Sequence, residues 1–521
     1  MPKKYIVVTG GVISGIGKGV LAASAGRLLK ESGVDIRSVK MDPYLNVDAG
    51  TMNPNQHGEV YVTEDGYEAD LDLGHYERFM GINVRKENNI TAGQIYSSVI
   101  EKERAGKYLG STVQMVPHVT SEIKERLKGI QSDLLIIEIG GTVGDIEGEI
   151  FLEAIRELFL ETGRDNFMFI HTTYVPFLRT TNEFKTKPTQ QSVQLLRRIG
   201  IQPDIIGARS EMPISSTERR KIALFAGVKP EMVVNLPDIK NVYEMPQNLF
   251  NMKFHHLIAK KLDLEITDSF NWDIPKSFLP LKIGMIGKYL GTDDAYKSIN
   301  ESIFLSGAEK PEMIDAQELE DLDETEIEDM LGQYDALIIP GGFGKRGIEG
   351  KLKAIKYARE KKVPILGICL GMQLMVIDFA RNCVGMKEAN STEFDPDTTC
   401  PVIDMMAEQK EILHLGGTMR LGAQKTPIFK GTRLHEVYGG KTEVMERHRH
   451  RYEVNYDLCK EFFEREDCGF TVSSKADFVE AVEIKDHPFF VGIQYHPEYG
   501  TKVGAPHPLF VALIKAAQAR K

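Results

Sequence analysis

Short apolar runs, separated by glycine-rich turns and by stretches with helical spacing, recur along the whole chain. Such runs, rich in Val, Ile and Leu, predict buried strands. They cover residues 5–8, 35–40, 134–139, 167–170, 204–207, 232–234, 282–287, 336–339, 363–366 and 489–491. Strands that alternate with helices predict α/β domains with parallel, doubly wound sheets, whose ligands lie at the carboxyl ends of the strands.

The chain is too long for one typical domain, at 521 residues. Residues 268–281 contain two prolines and no clear periodicity, which predicts a linker. We therefore expect an N-terminal domain of phosphate-loop type over residues 1–267 and a second doubly wound domain over residues 282–521.

Composition and charge exclude several classes of protein. The net charge of -11 argues against a general nucleic-acid binder, which usually carries a basic face. No stretch is long and apolar enough to span a membrane, and the N-terminus has no signal-peptide form. The five cysteines contain no C-x-x-C pair, so neither a zinc site nor a disulfide framework is indicated. We expect a cytoplasmic protein.

Cys369 lies in a glycine-flanked turn that follows the predicted strand 363–366 and precedes an apolar helix. At a helix N-terminus the aligned amide dipoles stabilise a thiolate. His496 and Glu498 follow another strand, and residues two apart in a strand face the same way, so the carboxylate would orient an imidazole base. The glycine loop 340–344 has N–H groups that would hold an oxyanion. A lone cysteine is more often an inert, buried residue, but here a base and an oxyanion loop accompany it.

A second glycine-rich loop, residues 9–19, joins the first strand to a helix predicted from about Val20. Loops of this kind bind phosphate through their N–H groups, and Lys18 would add a positive charge. The strict phosphate-loop spacing is not met, since five residues separate Gly11 from Gly17 and Gly19 follows the lysine. The alternative is a plain strand–turn–helix corner; the position of Lys18 favours phosphate binding.

Glu138 stands near the end of an otherwise apolar strand, where a carboxylate is costly unless paired or metal-bound. Asp72 belongs to a long, acidic, irregular segment upstream, and long irregular segments tend to be functional. The two carboxylates predict a Mg²⁺ site beside the phosphates. The cluster 447–451, which alternates Arg and His, indicates a cleft that meets anionic ligands.

The chain resembles two known families. Residues from about 282 to 521 resemble the triad-type (class I) glutamine amidotransferase domain, which releases ammonia from glutamine. Nearly end to end, the chain resembles the CTP synthase family. The segments that carry this resemblance, in shared order, are 9–18, 42–44, 56–60, 70–76, 138–147, 185–190, 221–225, 342–344, 391–394 and 447–455.

The resemblance implies an ATP-, Mg²⁺- and glutamine-dependent ligase that converts UTP to CTP, the last step of de novo CTP synthesis, through UTP phosphorylated at O4. It implies a synthetase domain, 1–267, that binds ATP, Mg²⁺ and UTP. The ATP-binding residues would be Gly15, Ile16, Gly17, Lys18, Gly19, Val20, Lys40, Asp72, Pro237, Asp238 and Ile239, with Asp72 and Glu138 holding Mg²⁺. UTP and CTP would be bound by Ser14, Asp145, Ile146, Glu147, Lys185, Thr186, Lys187, Pro188, Thr189, Gln190 and Lys221.

In the second domain the resemblance implies that Cys369, His496 and Glu498 are catalytic. The glutamine-binding residues would be Gly342, Leu370, Gly371, Met372, Gln373, Glu393 and Arg451. Residues 416–422 resemble a glycine-hinged segment linked to activation by GTP, and residues 56–60 a stretch that lines an ammonia passage. Feedback inhibition by CTP and a homotetramer are also implied.

Two departures from the family pattern affect these expectations. Glu149 and Ile150 replace an apolar residue and a proline beside the pyrimidine pocket, which leaves the shape of that pocket open. The sequence also stops at Lys521 without the long C-terminal tail of some members, so regulation through such a tail is not expected. Two alternatives stay open: a related amidotransferase acting on a carboxylate, which would lack the 185–190 segment with Lys221, and a non-catalytic nucleotide-sensing filament protein, which would not need an intact triad.

Overall fold

The computed structural model describes residues 2–291, 293–405, 419–465 and 469–521. By its contacts the chain divides into two compact units. Residues Met1–Ala49 and Asp72–Trp272 form the first unit, and residues Gly50–Leu71 and Asp273–Lys521 form the second. The packing units differ from the predicted domains in two assignments. Residues 50–71, which the sequence places in the first domain, group with the second unit, and the predicted linker 268–281 is divided between the units after Trp272.

The strands follow the predicted apolar runs and include others that these runs did not predict. In chain order they are β1 (Lys4–Gly10), β2 (Ile36–Asp42), β3 (Tyr61–Val62), β4 (Glu68–Ala69), β5 (Asn89–Thr91), β6 (Leu134–Ile139), β7 (Phe167–Tyr174), β8 (Phe177–Leu178), β9 (Glu183–Phe184), β10 (Ile205–Ser210), β11 (Val233–Pro237), β12 (Ile283–Gly287), β13 (Glu312–Asp315), β14 (Ala336–Ile339), β15 (Ile365–Ile368), β16 (Ala389–Ser391), β17 (Cys400–Met405), β18 (Arg420–Pro427), β19 (Glu443–His450), β20 (Tyr452–Val454), β21 (Phe470–Lys475), β22 (Val479–Ile484) and β23 (Phe490–Ile493).

Helices connect these strands. They are α1 (Lys18–Lys30), α2 (Pro54–His57), α3 (Asp72–Met80), α4 (Ala92–Arg104), α5 (Thr120–Gly129), α6 (Glu149–Thr162), α7 (Lys187–Arg198), α8 (Ser216–Ala226), α9 (Met245–Asn251), α10 (Phe254–Leu262), α11 (Lys297–Leu305), α12 (Glu324–Leu331), α13 (Ile348–Glu360), α14 (Leu370–Phe379), α15 (Arg433–Val437), α16 (Tyr456–Phe463) and α17 (Pro508–Arg520). No helix in the described ranges is long and apolar enough to cross a membrane.

The first unit is built on a seven-stranded sheet in the order β11-β10-β7-β1-β6-β2-β5. All of its pairings are parallel. Helices cover both faces of such a sheet, so its central strands can be apolar throughout; β6 is buried along its whole length. Because the strands are parallel, the loops after β1, β2, β6 and β11 lie at one edge, where ligands of doubly wound sheets bind.

The second unit has its own seven-stranded sheet in the order β13-β12-β14-β15-β23-β22-β21. The first five strands in that order pair in parallel, and β22 and β21 continue the sheet antiparallel. The parallel part, with helices α13 and α14, confirms the expected doubly wound α/β class. The antiparallel edge has no counterpart in the sequence-based prediction.

Residues 50–71 are anchored to the second unit by the Glu59 carboxylate. It accepts hydrogen bonds from the backbone N–H of Ser298, at 2.9 and 3.0 Å, and from the Ser298 hydroxyl. Ser298 lies in the first turn of α11, where N–H groups have no partner within the helix and the helix dipole favours negative charge. The backbone N–H of Glu59 also donates to the carbonyl of Asp294, at 2.9 Å. A distant carboxylate therefore caps α11.

Replacing Glu59 by Ala removes the charged acceptor and leaves the first turn of α11 without its cap. We expect the variant to lower the free energy of unfolding of the second unit by about 1.5–3 kcal/mol, the range for hydrogen bonds to charged groups. It should also increase proteolytic cleavage within residues 50–71. Calorimetry and limited proteolysis measure the two effects. Ser298→Ala, which loses only the hydroxyl bond, is the matched control and should show the smaller change; an equal effect of the two variants would contradict the capping role.

Candidate active sites

Cys369 occupies the turn between β15 and α14 in a strained backbone conformation. Its φ is 53° and its ψ is -105°, in the region that favours glycine, and it precedes the first residue of α14. Gly371 is required in the following turn because a Cβ atom there would overlap the carbonyl oxygen of Ile339. Strain of this kind persists only where the surrounding structure imposes it, and it is concentrated at functional sites. The predicted strand–turn–helix is confirmed.

His496 and Glu498 form the predicted pair, but the reason given for it was wrong. β23 ends at Ile493, and the residues after His496 form a helical turn, Pro497–Gly500, so alternation along a strand does not align the two side chains. His496 Nδ1 is nevertheless 2.7 Å from Glu498 Oε1. Burial disfavours the charged imidazole, but Glu498 and the adjacent Cys369 outweigh it and raise the pKa of His496 to about 10. The contact with Glu498 therefore favours a charged imidazole at His496.

Gly341 leaves the space in which the nucleophile and the base meet. A Cβ atom built on Gly341 would be 3.1 Å from His496 Cε1 and 3.5 Å from Cys369 Cβ. The three residues line a cavity of about 230 Å³, together with Gly342 and Glu498. Residues 50–71 contribute Met52, Pro54, Glu59 and Val60 to the same cavity.

The predicted glutamine-binding residues surround this turn, and two of them already have protein partners. Gln373 is 2% exposed and donates to the Tyr452 carbonyl at 2.9 Å and to Gln494 Oε1 at 3.1 Å. Glu393 accepts from the Gly344 N–H at 2.6 Å, and burial raises the pKa of Glu393, against the effect of Lys288 and Arg451. Leu370, Gly371 and Met372 are buried in the first turn of α14.

Three residues near the nucleophile escaped the sequence reasoning. Gln494 Nε2 lies 3.6 Å from Cys369 Sγ, and the thiol is 3.7 Å from the carbonyl oxygen of Arg449. Lys351 of α13 is fully buried and donates to the Pro340 carbonyl at 3.2 Å; burial, assisted by Lys288, lowers the pKa of Lys351 to about 7. Gln494 stands two residues before His496, which is the one signal the sequence offers. Nothing in the sequence separates Lys351 from an exposed helical lysine.

The basic cluster 447–451 is only partly open: Arg449 lines the cavity that holds Cys369, whereas His448 and His450 are buried. The cluster forms the end of β19 and the turn after it, and both histidines are buried. Arg447 Nη1 donates to Tyr61 Oη and to the Val62 carbonyl, both at 3.0 Å. Arg449 Nε donates to Glu68 at 2.8 Å. These two arginines therefore bind residues 50–71 within the second unit.

In the first unit the glycine-rich loop has the form expected of a phosphate site. Gly15 and Gly17 have φ values of 68° and 89°, which only glycine adopts readily. Helix α1 begins at Lys18, two residues earlier than predicted. Lys18 Nζ donates to the Gly141 carbonyl at 2.6 Å, and burial lowers the pKa of Lys18, against the pull of Glu138.

Asp72 and Glu138 converge beside this loop, with Lys40 between them. Lys40 Nζ contacts Asp72 and lies 3.1 Å from Glu138 Oε1. Asp72 is the first residue of α3, not part of an irregular segment. Burial raises the pKa of Glu138, whereas Lys40 and His75 outweigh burial and lower the pKa of Asp72.

This arrangement fits a magnesium ion. A Cβ atom on Gly19 would lie 3.2 Å from an oxygen of each carboxylate, so both oxygens reach the start of α1. Carboxylate oxygens are the ligands that Mg²⁺ prefers. Asp72 and Glu138 would hold the ion, and Lys40 now supplies the positive charge that these buried carboxylates need.

The remaining predicted nucleotide-binding residues lie in the first unit. Lys187 opens α7 behind Thr186, and Gln190 donates to the Thr186 hydroxyl at 3.1 Å. Lys185 contacts Glu183, and Lys221 is exposed on α8. The other predicted positions follow strand ends or lie in turns: Ser14 and Ile16 in the loop after β1, Asp145, Ile146 and Glu147 after β6, and Pro237, Asp238 and Ile239 at the end of β11. Glu149 and Ile150 begin α6 and line a groove with Ile146 and Glu147.

Comparison with known proteins gives concordant matches for both units. The family model described as CTP synthase N-terminus matches residues 4–264, and the model described as glutamine amidotransferase class-I matches residues 292–516. The chain is 68% identical over 520 residues to the CTP synthase of Thermosipho africanus and 66% identical over 520 residues to that of Thermotoga maritima, covering 99% of each chain in both cases. A solved structure of the Trypanosoma brucei CTPS glutaminase domain with bound acivicin is 33% identical to this chain. The match covers 46% of this chain and 95% of the solved chain, with a TM-score of 0.42.

The Glu498 carboxylate is the main group that keeps His496 charged, which leads to a test that needs no substrate. Replacing Glu498 by Gln should lower the pKa of His496 and with it the reactivity of the Cys369 thiolate. We expect iodoacetamide to alkylate Cys369 about tenfold more slowly at pH 7, because a thiolate beside a neutral imidazole lacks a stabilising charge worth about 1.4 kcal/mol. Mass spectrometry of the Cys369 peptide measures the rate. The exposed Cys383 is the internal reference; equal slowing at both cysteines, or none at Cys369, would contradict the pairing.

Proposed function

The chain belongs to the CTP synthase family, and we propose that its two units carry the two halves of one reaction, glutamine hydrolysis in the second unit and amination of UTP in the first. It is a glutamine-hydrolysing ligase that forms CTP from UTP with ATP. The observation that carries this conclusion is the 68% identity to a CTP synthase over 520 residues, 99% of the chain, together with the arrangement of Cys369, His496 and Glu498.

In the glutaminase half, the Cys369 thiolate attacks the amide carbon of glutamine and forms a tetrahedral oxyanion. The N–H groups of Gly342 and Leu370 stabilise this charge as it develops. The His496 imidazolium gives its proton to the departing nitrogen, and ammonia leaves a thioester on Cys369. His496, now neutral, takes a proton from water, which attacks the thioester and releases glutamate. Glu498 keeps the imidazole oriented throughout.

The amino-acid end of glutamine is held by Gln373, Glu393 and Arg451 in this proposal. Glu393 already neighbours the glycine loop 340–344, because its carboxylate accepts from the Gly344 N–H. A carboxylate suits the α-ammonium group and a guanidinium suits the α-carboxylate, so charge fixes the direction in which glutamine enters. Gln373 supports the turn from within α14.

In the synthetase half, ATP phosphorylates O4, the exocyclic oxygen on C4 of uracil, because this oxygen leaves poorly by itself and leaves well as phosphate. Lys18 and Lys40 neutralise the phosphate charge near the start of α1, and Pro237, Asp238 and Ile239 contact adenine. A magnesium ion held by Asp72 and Glu138 would add charge neutralisation at the phosphates. Ammonia then attacks C4 and expels phosphate, which gives CTP.

UTP is held by a separate set of groups in the first unit. Lys185, Lys187, Gln190 and Lys221 bind its phosphates in this proposal, and residues 145–147 line the pyrimidine. Helix α7 begins at Lys187 and turns its first N–H groups toward that region, which favours an anion. A hydrophilic Glu149 at the start of α6 changes the wall of the neighbouring groove relative to the family pattern.

We further propose the regulators and setting that the family implies: activation of glutamine hydrolysis by GTP, feedback inhibition by CTP, a homotetramer and a cytoplasmic location. GTP would act through the glycine-hinged segment 416–422. Of that segment, Gly416, Gly417 and Thr418 lie outside the described residues, whereas Arg420 begins β18.

Ammonia must stay neutral between release and use, because the ammonium ion is no nucleophile. A low-dielectric passage disfavours the charged form. The cavity that contains Cys369 is also lined by Met52, Pro54 and Val60, so residues 50–71 provide an apolar wall beside the point of release. We propose that ammonia leaves along this wall.

The two halves should fail separately. Cys369→Ala should abolish CTP formation from glutamine and leave formation from ammonium salts largely intact, because the thiol has no part in the phosphorylation. Glu138→Ala should stop CTP formation from either nitrogen source, while glutamine hydrolysis partly survives. CTP and glutamate are measured with UTP, ATP, Mg²⁺ and either nitrogen source. Melting curves accompany the assays, since removal of a buried, paired carboxylate can unfold a domain. Equal loss of both activities in folded Cys369→Ala, or no CTP from the wild-type protein, would refute the proposal.

Adding bulk at Val60 distinguishes a passage wall from ordinary core. If the residue lines the route of ammonia, Val60→Phe should still hydrolyse glutamine but form little CTP from it, and synthesis from high ammonium should fall less. If Val60 only fills core, overpacking should lower stability by about 1–3 kcal/mol and reduce all activities together. The ratio of CTP to glutamate is the measurement.

Val62→Phe is the matched control, because Val62 is fully buried in the adjacent β3 and is not part of the cavity wall formed by the described residues. It should lose stability without separating glutamate from CTP. CTP and glutamate released in equal amounts by Val60→Phe would refute the passage.

A further inference from the structure

Five ionisable side chains of the second unit form a closed ring of contacts beside β19. Arg420 Nη2 lies 2.7 Å from Glu480 Oε1, and its Nη1 lies 3.3 Å from Glu453 Oε1. His450 Nδ1 is 3.5 Å from Glu453, and His448 Nε2 is 3.7 Å from Glu480 Oε2. His448 Nδ1 and His450 Nε2, 3.0 Å apart, close the ring. Apart from Arg420, at 12%, no side chain of the ring is more than 4% exposed.

The directions of the hydrogen bonds show that the ring holds a proton. His450 Nδ1 faces the Tyr452 carbonyl at 3.2 Å, which only accepts, so Nδ1 carries the hydrogen. A neutral His450 then accepts at Nε2 from His448 Nδ1, which leaves a lone pair on His448 Nε2. That lone pair faces Glu480 Oε2, and among the described residues neither atom has a hydrogen-bond partner. Two lone pairs would repel each other, so a proton lies between these atoms.

The net charge of the ring also requires one proton. One guanidinium and two carboxylates leave a net charge of -1 in a buried place, and one added proton makes the ring neutral. Burial raises the pKa of Glu453 to about 8 and raises that of Glu480, against Arg420, whereas burial lowers the pKa values of His448 and His450. The proton therefore belongs to the carboxyl groups. The titratable groups that face the ring from neighbouring elements are Asp477, Tyr495 and His496.

The strands that carry the ring also touch the triad through their backbone. In β19, the Arg447 carbonyl accepts from the His496 N–H at 2.8 Å, and the Arg449 carbonyl lies 3.7 Å from Cys369 Sγ. His448 and His450 alternate with these two arginines, so they fix the same strand from its other face. In β22, the Glu480 carbonyl accepts from the N–H of Gln494 at 2.8 Å.

We propose that Arg420, Glu453, Glu480, His448 and His450 form a proton-holding ring that positions β19 against Cys369 and His496. The proposal rests on the glutaminase activity assigned above. In this ring Arg420 is a positioning residue, because its guanidinium neutralises the buried carboxylates of Glu453 and Glu480. Without that charge the carboxylates would repel each other and displace β19. The carbonyl groups of β19 contact Cys369 and His496.

Glutamine hydrolysis by Arg420 variants tests the positioning role. Arg420→Met leaves the carboxylates unbalanced and should lower kcat roughly ten- to hundredfold, with KM for glutamine changed less than about twofold, because misplaced reacting groups affect the chemical step. Arg420→Met combined with Glu480→Gln removes one carboxyl group as well and should recover most of the lost rate. No recovery in the double variant overturns the proposal. So does an Arg420→Met variant that loses only the response to GTP, because Arg420 would then be a nucleotide contact.

Thermal stability tests the proton independently of any activity. When folding raises the pKa of a carboxyl group, the folded protein keeps that proton at pH values where the unfolded chain has already lost it. Wild-type stability should therefore fall between about pH 4.5 and pH 8, the upper end being the raised pKa of Glu453, by an amount that Glu480→Gln does not show because Arg420 then has only one carboxylate to neutralise. The Tm of Glu480→Gln relative to wild type should rise across this range. Glu443→Gln, on the exposed start of the same strand, is the control and should give a constant difference. Parallel curves for wild type and Glu480→Gln overturn the ring, whether or not the protein hydrolyses glutamine.

Discussion

Buried charge must be neutralised by opposite charge, and both candidate sites depend on this constraint. In the first unit Lys40 lies between Asp72 and Glu138, at the place where a metal ion and nucleotide phosphates would bring their own charges. In the second unit Glu498 keeps the buried imidazole of His496 charged beside the thiol. Asp72 and His496 are each held by a partner, Lys40 and Glu498, in a charged state that burial alone would oppose. Because each buried charge needs its partner, displacing one side chain of a site would leave an opposite charge buried without compensation.

The fold supplies the geometry that this electrostatic arrangement needs. Parallel strands end at one edge, so glycine loops and helix N-termini collect there with their N–H groups free. At Cys369 the turn is tight enough to force a positive φ, and Gly371 and Gly341 leave room that any other side chain would fill. The strain at the nucleophile is maintained by packing on both sides, since β15 and α14 are buried along their whole lengths.

Residues 50–71 belong to a different unit from the residues on either side of them in the sequence. They lie in the sequence between strands of the first unit, yet Glu59 caps α11 and Arg449 binds Glu68 within the second. The segment contributes Val60 to the wall of the cavity that holds the nucleophile. Its placement depends on polar contacts to residues more than two hundred positions away in the sequence.

The sequence by itself determined the parallel core strands and the two glycine loops, because apolar runs and turn residues act locally, and it predicted the triad of Cys369, His496 and Glu498. β6 matches its apolar run residue for residue. The tertiary structure alone decided what depends on distant partners. It set His496 and Glu498 in contact through a helical turn where a strand was expected, grouped 50–71 with the second unit, and buried His448 and His450 of the basic cluster. It also placed Arg420 among carboxylates up to sixty residues away. Charge pairing over such separations leaves no periodic trace in a sequence, so only the folded chain reveals it.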